Sequence, residues 1–284
     1  TLPLKNQTVL VVGAAGTVRV ARAYGFSRAV HANEWARRHD RTGVDPWNSR
    51  WVSKIAPGCP SMFGDEAAGA GDDPAFVWDA GRNSDVGGIL VMSDPNHWGQ
   101  ALQLCVDFLL SSNPVRAELE PVQPPIHFAN PDFLWKSEFP RPRFALGAFK
   151  TALRAVYHQR LRGLGLDADQ IAARERDRWY QIGKPFVSQY RFAEQRLDEQ
   201  SACIGPFVMV GDNHNTDIKG ATAAAAAAAR EGRRRTWKSV LVRTGVWQEG
   251  QPTEGATVVL DHAAQALAWI EALSDGHRSI TAEL

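Results

Sequence analysis

Two short apolar segments in the C-terminal half each end in charged side chains, and this pattern most constrains the fold. The segment Phe207–Val210 leads through a glycine into Asp212, and Asp217 follows five residues later. Upstream, the segment Trp179–Ile182 leads into Lys184. In α/β proteins, turns that follow the carboxyl ends of buried strands line the ligand crevice. The sequence therefore predicts that these three charged residues share one site.

Apolar strand patterns alternate with helical patterns along the rest of the chain, which predicts an α/β fold with a parallel sheet. Further strands are predicted at Thr8–Gly13, Gly88–Met92, Lys238–Gly245 and Thr257–Leu260. Helices are predicted over Val18–Tyr24, Asn96–Ser112, Leu146–Arg162, Tyr190–Gln200 and His262–Leu273, and from Asp217 through the alanine run to Arg235. The third of these helices places Leu146, Phe149, Leu153, Val156 and Leu161 on one face.

Composition favours neither nucleic acid nor a membrane as a partner. The net charge of +1 gives no field that would attract a polyanion, and no apolar run reaches the length of a membrane span. The alanine-rich helix that runs into Arg233-Arg234-Arg235 has two interpretations, a solvated helix or a nucleic-acid patch. Because alanine and arginine are both strong helix formers, the solvated helix is favoured.

The residue types at the two strand ends suit phosphate chemistry with magnesium. Carboxylates such as Asp212 and Asp217 are the hard oxygen ligands that Mg²⁺ prefers, and a lysine such as Lys184 can neutralise phosphate charge. Each of these three residues could instead have a purely structural role. The two acids could form a tight turn with Asp217 as a helix N-cap, and Lys184 could be a surface lysine.

The same segments resemble a known family. Gly183-Lys184-Pro185 and Gly211–Ile218 resemble the third and fourth motifs of the haloacid-dehalogenase superfamily, and Asn130-Pro131-Asp132 resembles a motif of its class IIA members. Shorter segments spread over nearly the whole chain are similar to the cat-eye-syndrome-critical-region-type hydrolases of fungi and animals: Val9–Gly13, Tyr24–Phe26, Val91–Pro95, Asp132–Trp135, Pro142–Phe144, Gly147–Phe149 and Val242–Gly245.

The resemblance implies a fold with a Rossmann-like parallel sheet and an inserted α/β cap, apparently lacking its first strands. The hydrolase core would comprise residues 1–85 and 146–284, and the cap residues 86–145. The implied activity is magnesium-dependent hydrolysis of a small phosphomonoester, and the implied location is mitochondrial. Lys184 would neutralise the phosphate or the nucleophilic aspartate, and Asp212 would bind Mg²⁺. Asp217 would assist at the Mg²⁺ site from behind Asp212 or bind the ion through water, and Asn130 and Asp132 on the cap would help set substrate choice.

The chain departs from the family pattern at the nucleophile. In the superfamily this is the first aspartate of an Asp-x-Asp on the first strand, and no predicted strand of this chain ends in that motif. Asp167-Ala-Asp169 follows a linker instead. The chain is therefore interpreted as most of a hydrolase without its first catalytic segment, and alternatively as a non-catalytic scaffold. Because the absent strand is central, the chain alone is expected to fold poorly.

Gly13-Ala14-Ala15-Gly16 follows a strand and so has two interpretations, part of a dinucleotide-binding motif or a simple turn. The third glycine of the binding motif is absent, and no strand ending in an acid follows at the required distance. The simple turn is favoured.

Overall fold

The computed structural model describes residues 2–35, 85–113, 119–200 and 205–281. The chain divides into two compact units and crosses between them three times. The first unit comprises Thr1–Asn130 and Ala145–Gln181, and the second comprises Pro131–Phe144 and Ile182–Leu284.

The first unit is organised around a five-stranded sheet whose paired strands are all parallel, which confirms the predicted fold class. With strands numbered along the chain, the sheet contains β1 (Val9–Val12), β2 (Ala29–His31), β3 (Gly88–Val91), β4 (Ile126–Phe128) and β7 (Trp179–Gln181). Their order is β2-β1-β3-β4-β7. The chain thus winds outward in both directions from the pair β1–β3.

Helices cover the sheet of the first unit: α1 (Thr17–Ala23), α2 (Trp98–Leu110), α3 (Leu146–Gly163) and α4 (Ala168–Glu175). Alternate residues of β1 enter different hydrophobic clusters, Leu10 and Val12 on one side and Val9 and Val11 on the other. Because both sides are buried, the strand is continuously apolar rather than alternating.

The turn after β1 behaves as a simple strand-to-helix connection. The backbone N–H of Ala14 donates to Ser93 Oγ at 2.8 Å, and the hydroxyl of Thr17 donates to the carbonyl of Ala14 at 2.6 Å. The N–H of Ala14 thus joins the turn to the loop after β3. A bound nucleotide would need this N–H as a donor to its phosphates.

The buried face of α3 differs from the prediction at one position. Val156 is 46% exposed, whereas Tyr157 is fully buried. The step of four residues from Leu153 to Tyr157 and on to Leu161 follows the 3.6-residue period, and Val156 lies to one side of it. Tyr157 can be buried because its hydroxyl donates to Gln123 Oε1 at 2.6 Å.

The second unit contains a hairpin of β5 (Leu134–Trp135) and β6 (Arg143–Phe144) and a parallel sheet. The sheet consists of β8 (Phe207–Gly211), β9 (Trp237–Val242) and β10 (Val258–Leu260) in the order β10-β9-β8. Helices α5 (Val187–Gln200) and α6 (Lys219–Arg230) pack on one side, and α7 (Ala263–Thr281) on the other. Among the described residues, β8 pairs with β9 alone, so its other edge is open.

Helix α6 ends earlier than the sequence suggested. It stops at Arg230, and Gly232 adopts a φ of +64°, so the predicted continuation to Arg235 is wrong. The arginines beyond it are used within the unit, where Arg233 pairs with the buried Glu194 and Arg235 with Asp198. No helix in the described ranges is long and apolar enough to cross a bilayer.

The predicted core and cap boundaries stay a prediction, and the compact units divide at other positions. The predicted boundary between residues 85 and 86 separates β1 from β3, yet these strands pair from Val9–Gly88 to Val12–Val91. The structure divides after Asn130, Phe144 and Gln181 instead. Residues 36–84, most of the first predicted segment, lie outside the described part of the chain.

The two neighbouring faces of α3 provide a matched test of the core. Leu153→Ala removes a fully buried side chain and is expected to lower the free energy of unfolding by about 2–5 kcal/mol. Val156→Ala on the exposed side is expected to change it by less than about 0.5 kcal/mol. Urea denaturation of both variants measures the difference, and equal losses would contradict the placement of α3.

Candidate phosphate and metal site

The candidate site is formed where β8 ends and the chain turns toward α6. Asp212 follows β8 directly, and a π-helical turn spans His214–Ile218. The side chain of Asn213 accepts the backbone N–H of Asn215 at 3.0 Å and so caps this turn. Asp217 lies inside the turn and is not its N-cap. The alternative prediction, that Asp217 is a helix N-cap, is therefore wrong.

Asp217 is buried and its carboxylate is fully engaged. Its Oδ1 accepts from Lys184 Nζ at 2.5 Å, and its Oδ2 accepts from the backbone N–H of Asn213 at 3.1 Å. The Asp217 side chain is 2% exposed, while that of Lys184 is 35% exposed. The ammonium thus reaches from solvent to a buried carboxylate, and Lys184 is not an ordinary surface lysine.

Three carboxylates set the charge state of Lys184. Burial alone would lower the pKa of its ammonium, but the hydrogen bond and attraction to Asp217, together with Asp132 and Asp212, raise that pKa above its ordinary value. Lys184 therefore stays positively charged at neutral pH, as a phosphate-binding lysine must.

Asp212 is held by one oxygen only. Its Oδ2 accepts from the backbone N–H of Val246 at 2.7 Å, in the loop that follows β9. Its Oδ1 has no hydrogen-bond partner among the described residues, which leaves one carboxylate oxygen available to a ligand.

Two glycines make room for these carboxylates. A Cβ atom at Gly211 would lie 2.2 Å from the Asp217 side chain, and one at Gly245 would lie 1.7 Å from Asp212 Oδ2. Gly245 also has a φ of +61°, which other residues adopt only at a cost. Both carboxylates therefore pack directly against glycine backbone.

Tyr190 holds the π-helical turn in place through a hydrogen bond to its backbone. Its buried hydroxyl donates to the carbonyl oxygen of Asp217 at 3.0 Å, and its ring meets Trp237 edge-on at 4.9 Å between centroids. Burial raises the pKa of the Tyr190 phenol, so it remains a neutral donor. Helix α5, which follows Lys184, is thereby fixed to the turn that carries its partner.

The two residues predicted to lie on the cap, Asn130 and Asp132, belong to different units. Asp132 belongs to the second unit and interacts electrostatically with Lys184. Asn130 closes β4 and belongs to the first unit, so the cluster described here is formed by second-unit residues alone. Asp167, of the sole Asp-x-Asp, caps α4 by accepting the backbone N–H of Gln170 at 2.8 Å.

The donor set suits magnesium only in part. The described residues contain no group of three or more His, Cys, Asp or Glu side chains that could hold a metal ion. Asp212 offers one open oxygen, and Mg²⁺ characteristically takes one or two carboxylates and fills its remaining positions with water and substrate oxygens. The residues fit a magnesium ion that is shared with a phosphate.

Several polar groups lie near the three predicted charged residues. His214 uses Nε2 to donate to the carbonyl of Glu254 at 2.9 Å, and its buried Nδ1 has no partner in the described structure. The hydroxyl of Thr216 and the indole nitrogen of Trp247 are likewise buried without a hydrogen-bond partner among the described residues. No sequence pattern marks Val246 or Trp247, because their relation to Asp212 arises from the neighbouring strand β9.

Comparisons with known proteins find similarity to hydrolases. Residues 181–266, which include Lys184, Asp212 and Asp217, match a family model described as HAD-hydrolase-like, where HAD stands for haloacid dehalogenase. A mitochondrial hydrolase of Saccharomyces cerevisiae is 27% identical over 276 residues, which cover 87% of this chain and 66% of that protein. A cardiolipin synthase and mitochondrial hydrolase fusion protein of Schizosaccharomyces pombe is 30% identical over 186 residues.

The chain spans only part of these relatives. The second alignment covers 62% of this chain and 27% of the fusion protein. Among solved structures, a possible sugar phosphatase of the HAD superfamily from Cytophaga hutchinsonii aligns with a TM-score of 0.40 and 15% identity, over 91% of this chain and 94% of that one. This likeness is weak, and the site described above does not depend on it.

Two glycines with similar backbone angles test the packing at Asp212. Gly245→Ala and Gly232→Ala share the cost of a positive φ, +61° and +64°, but only at Gly245 would a Cβ collide with a carboxylate. Gly245→Ala is expected to lower the free energy of unfolding by about 1–3 kcal/mol more, because Asp212 loses its bond to Val246. Chemical denaturation provides the comparison, and equal effects would contradict the described contact.

Proposed function

We propose that the chain is a hydrolase of the haloacid-dehalogenase superfamily and that it forms the phosphate- and magnesium-binding part of a phosphomonoester hydrolase; the matched family model and the yeast hydrolase support this. The observation that carries the proposal is the Lys184–Asp217 ion pair beside the half-open carboxylate of Asp212. A cation and an available carboxylate oxygen at the end of a parallel strand are the two features that a magnesium phosphate requires.

Each residue has a distinct role in this proposal. Lys184 neutralises the negative charge of the bound phosphate, and its Nζ can reach a ligand because the side chain remains partly exposed. Asp217 positions Lys184, since both of its oxygens are already bonded, and any contact with the metal passes through water. Asp132, which also attracts Lys184, helps set substrate choice. The corresponding role of Asn130 stays a prediction.

Asp212 would hold Mg²⁺ through its Oδ1 atom, while the backbone N–H of Val246 keeps its other oxygen in place. When bound, the ion polarises the phosphoryl oxygens and offsets the charge that accumulates on them. The chain's own contribution is to fix the direction of this carboxylate, which Gly245 allows by leaving space beside it.

We place the nucleophilic aspartate on a strand outside this sequence that pairs with β8. One edge of β8 has no partner strand in the described part of the chain, and this supports the placement because a strand added there would end beside Asp212. The side chains of Val208, Met209 and Val210 are only partly buried, whereas those of β9 are almost all buried. Without that aspartate the site would hold magnesium phosphate but not turn it over.

The subfamily and the cellular location are further parts of the proposal. We assign the chain to the class IIA hydrolases of the cat-eye-syndrome-critical-region type, on the segments quoted in the sequence analysis. Both curated relatives are named as mitochondrial hydrolases, and this supports a mitochondrial location for the chain. The substrate would be a small phosphorylated metabolite.

The test measures turnover of an aryl phosphate with and without Mg²⁺, on this chain and on a longer chain that adds an upstream Asp-x-Asp strand. We expect activity in the longer chain alone. In that background, Lys184→Met and Asp212→Asn should each lower kcat by about 100-fold or more. Lys219→Met and Asp261→Asn, which alter an exposed lysine and an exposed acid, serve as matched controls and should retain activity.

The alternative, a non-catalytic scaffold with the same fold, makes the opposite prediction. It is favoured if both chains are silent while Mg²⁺ and inorganic phosphate still bind. Turnover by the short chain would refute the placement of the nucleophile outside it. Unchanged turnover in Asp212→Asn would refute the assignment of Asp212 to the metal.

A further inference from the structure

The tip of the hairpin in the second unit carries exposed aromatic and basic side chains side by side. We define the hairpin tip as residues 135–143, which comprise the last residue of β5, the connecting loop and the first residue of β6. Trp135 is 48% exposed and Phe139 is 54% exposed, and the side chains of Lys136 and Arg143 are exposed as well. Large apolar side chains that stay exposed close together mark interaction surfaces more often than single ones do.

Contacts within the hairpin tip hold these side chains on one surface. Trp135 and Arg143 are paired across the two antiparallel strands, so their side chains point to the same side. The Arg143 guanidinium lies 4.9 Å from the centre of the Phe139 ring. Lys136 Nζ donates to the carbonyl oxygen of Phe139 at 3.2 Å. Two aromatic rings and two cations are therefore contiguous.

The backbone of the hairpin tip has few donors that depend on water. The N–H of Phe139 donates to Ser137 Oγ at 3.2 Å, and its carbonyl oxygen already accepts from Lys136. Pro140 and Pro142 have no N–H group. Because a backbone donor that loses water without gaining a partner is costly, this composition favours entry into a partly dehydrated layer.

The charge of the hairpin tip defines what kind of layer that is. The tip contains three basic side chains and one acidic side chain, Glu138, which gives a local net charge of +2. The whole chain has a net charge of +1, so the attraction for an anionic partner is local. A local excess of basic side chains is complementary to an anionic surface, and exposed aromatic rings are complementary to an apolar one. The headgroup layer of an anionic bilayer combines both properties.

We propose that the hairpin tip binds the surface of an anionic lipid bilayer. The rings of Trp135 and Phe139 enter the headgroup layer, where amphipathic and aromatic side chains are favoured. The cations of Lys136, Arg141 and Arg143 remain beside the lipid phosphates. This binding is peripheral, and it is independent of the phosphate chemistry proposed for Lys184.

Nucleic acids also bind surfaces that combine rings and cations, but the hairpin tip fits a bilayer better. A single strand stacks its bases on open aromatic faces and follows a basic groove. The Arg143 guanidinium lies over one face of the Phe139 ring, which leaves less of that ring for a base. The two prolines of the loop offer no N–H to a nucleic-acid phosphate. A bilayer requires neither of these features.

The test is co-flotation of the full chain with unilamellar vesicles of two compositions. One contains phosphatidylcholine alone, and the other replaces about one third of it with phosphatidylglycerol, which is anionic. We expect the chain to bind the anionic vesicles about tenfold or more tightly than the neutral ones, because each basic side chain near the surface adds attraction. This binding should weaken as the salt concentration rises.

Three variants test the hairpin tip itself. Trp135→Ala and Phe139→Ala should each weaken binding to the anionic vesicles about 5- to 10-fold, because each removes a ring from the headgroup layer. Arg141→Gln should weaken it about fivefold. Arg141 is suitable because it forms no hydrogen bond or ion pair within the described part of the chain, so the change removes only its charge from the surface.

Phe192→Ala and Arg234→Gln are the matched controls. Both residues are exposed in the second unit outside the hairpin tip, and Phe192 is 48% exposed, as Trp135 is. These variants remove the same kinds of group from the chain and should bind the anionic vesicles as tightly as the unaltered chain does. Circular dichroism should be unchanged in all five variants, since every altered side chain is exposed.

Three results would overturn the proposal. The first is that the chain binds neither vesicle, or binds both equally. The second is that the controls weaken binding as much as Trp135→Ala and Arg141→Gln do, since another surface or the total charge would then be responsible. The third is that a single-stranded oligonucleotide displaces the vesicles and loses affinity in the same variants, which would assign the hairpin tip to nucleic acid.

Discussion

The ion pair between Lys184 and Asp217 joins the turn before α5 to the turn after β8. A carboxylate as buried as that of Asp217 costs several kcal/mol unless charge and hydrogen bonds compensate it. Lys184 supplies the charge from the turn before α5, and the backbone N–H of Asn213 supplies the second bond. Gly211 leaves space for the carboxylate, and Tyr190 holds the carbonyl of the same residue. Each of these contacts compensates or accommodates the buried charge of Asp217.

The sequence was sufficient for those parts of the site that depend on strand ends. An apolar run followed by a polar turn predicted where Lys184, Asp212 and Asp217 would lie, and the structure joins the first and the last of them in an ion pair. Their roles in binding phosphate and metal stay predictions. The N–H of Val246 and the hydroxyl of Tyr190 could not be anticipated, because they reach the site through strand pairing and helix packing between distant segments.

The other differences between the prediction and the structure also arise from contacts between segments that are distant in the sequence. Hydrophobic periodicity identified α3, but it passed over Tyr157, whose burial depends on an acceptor 34 residues away. Likewise, the pairing of β1 with β3 across a long intervening segment cannot be read from either strand alone. The hairpin of the second unit interrupts the first unit in the chain, and its exposed aromatic residues give no periodic signal.

The open edge of β8 has a consequence for the behaviour of the chain in solution. An unpaired strand presents a row of backbone N–H and C=O groups that can template pairing with another extended segment. Proteins usually protect such edges with lysine, proline or a bulge, and the sequence of β8, Phe-Val-Met-Val-Gly, contains neither lysine nor proline. Two copies that meet at this edge would extend each other's sheets. A strand that occupied the edge left unpaired by the described residues would therefore also protect the chain against association through this edge.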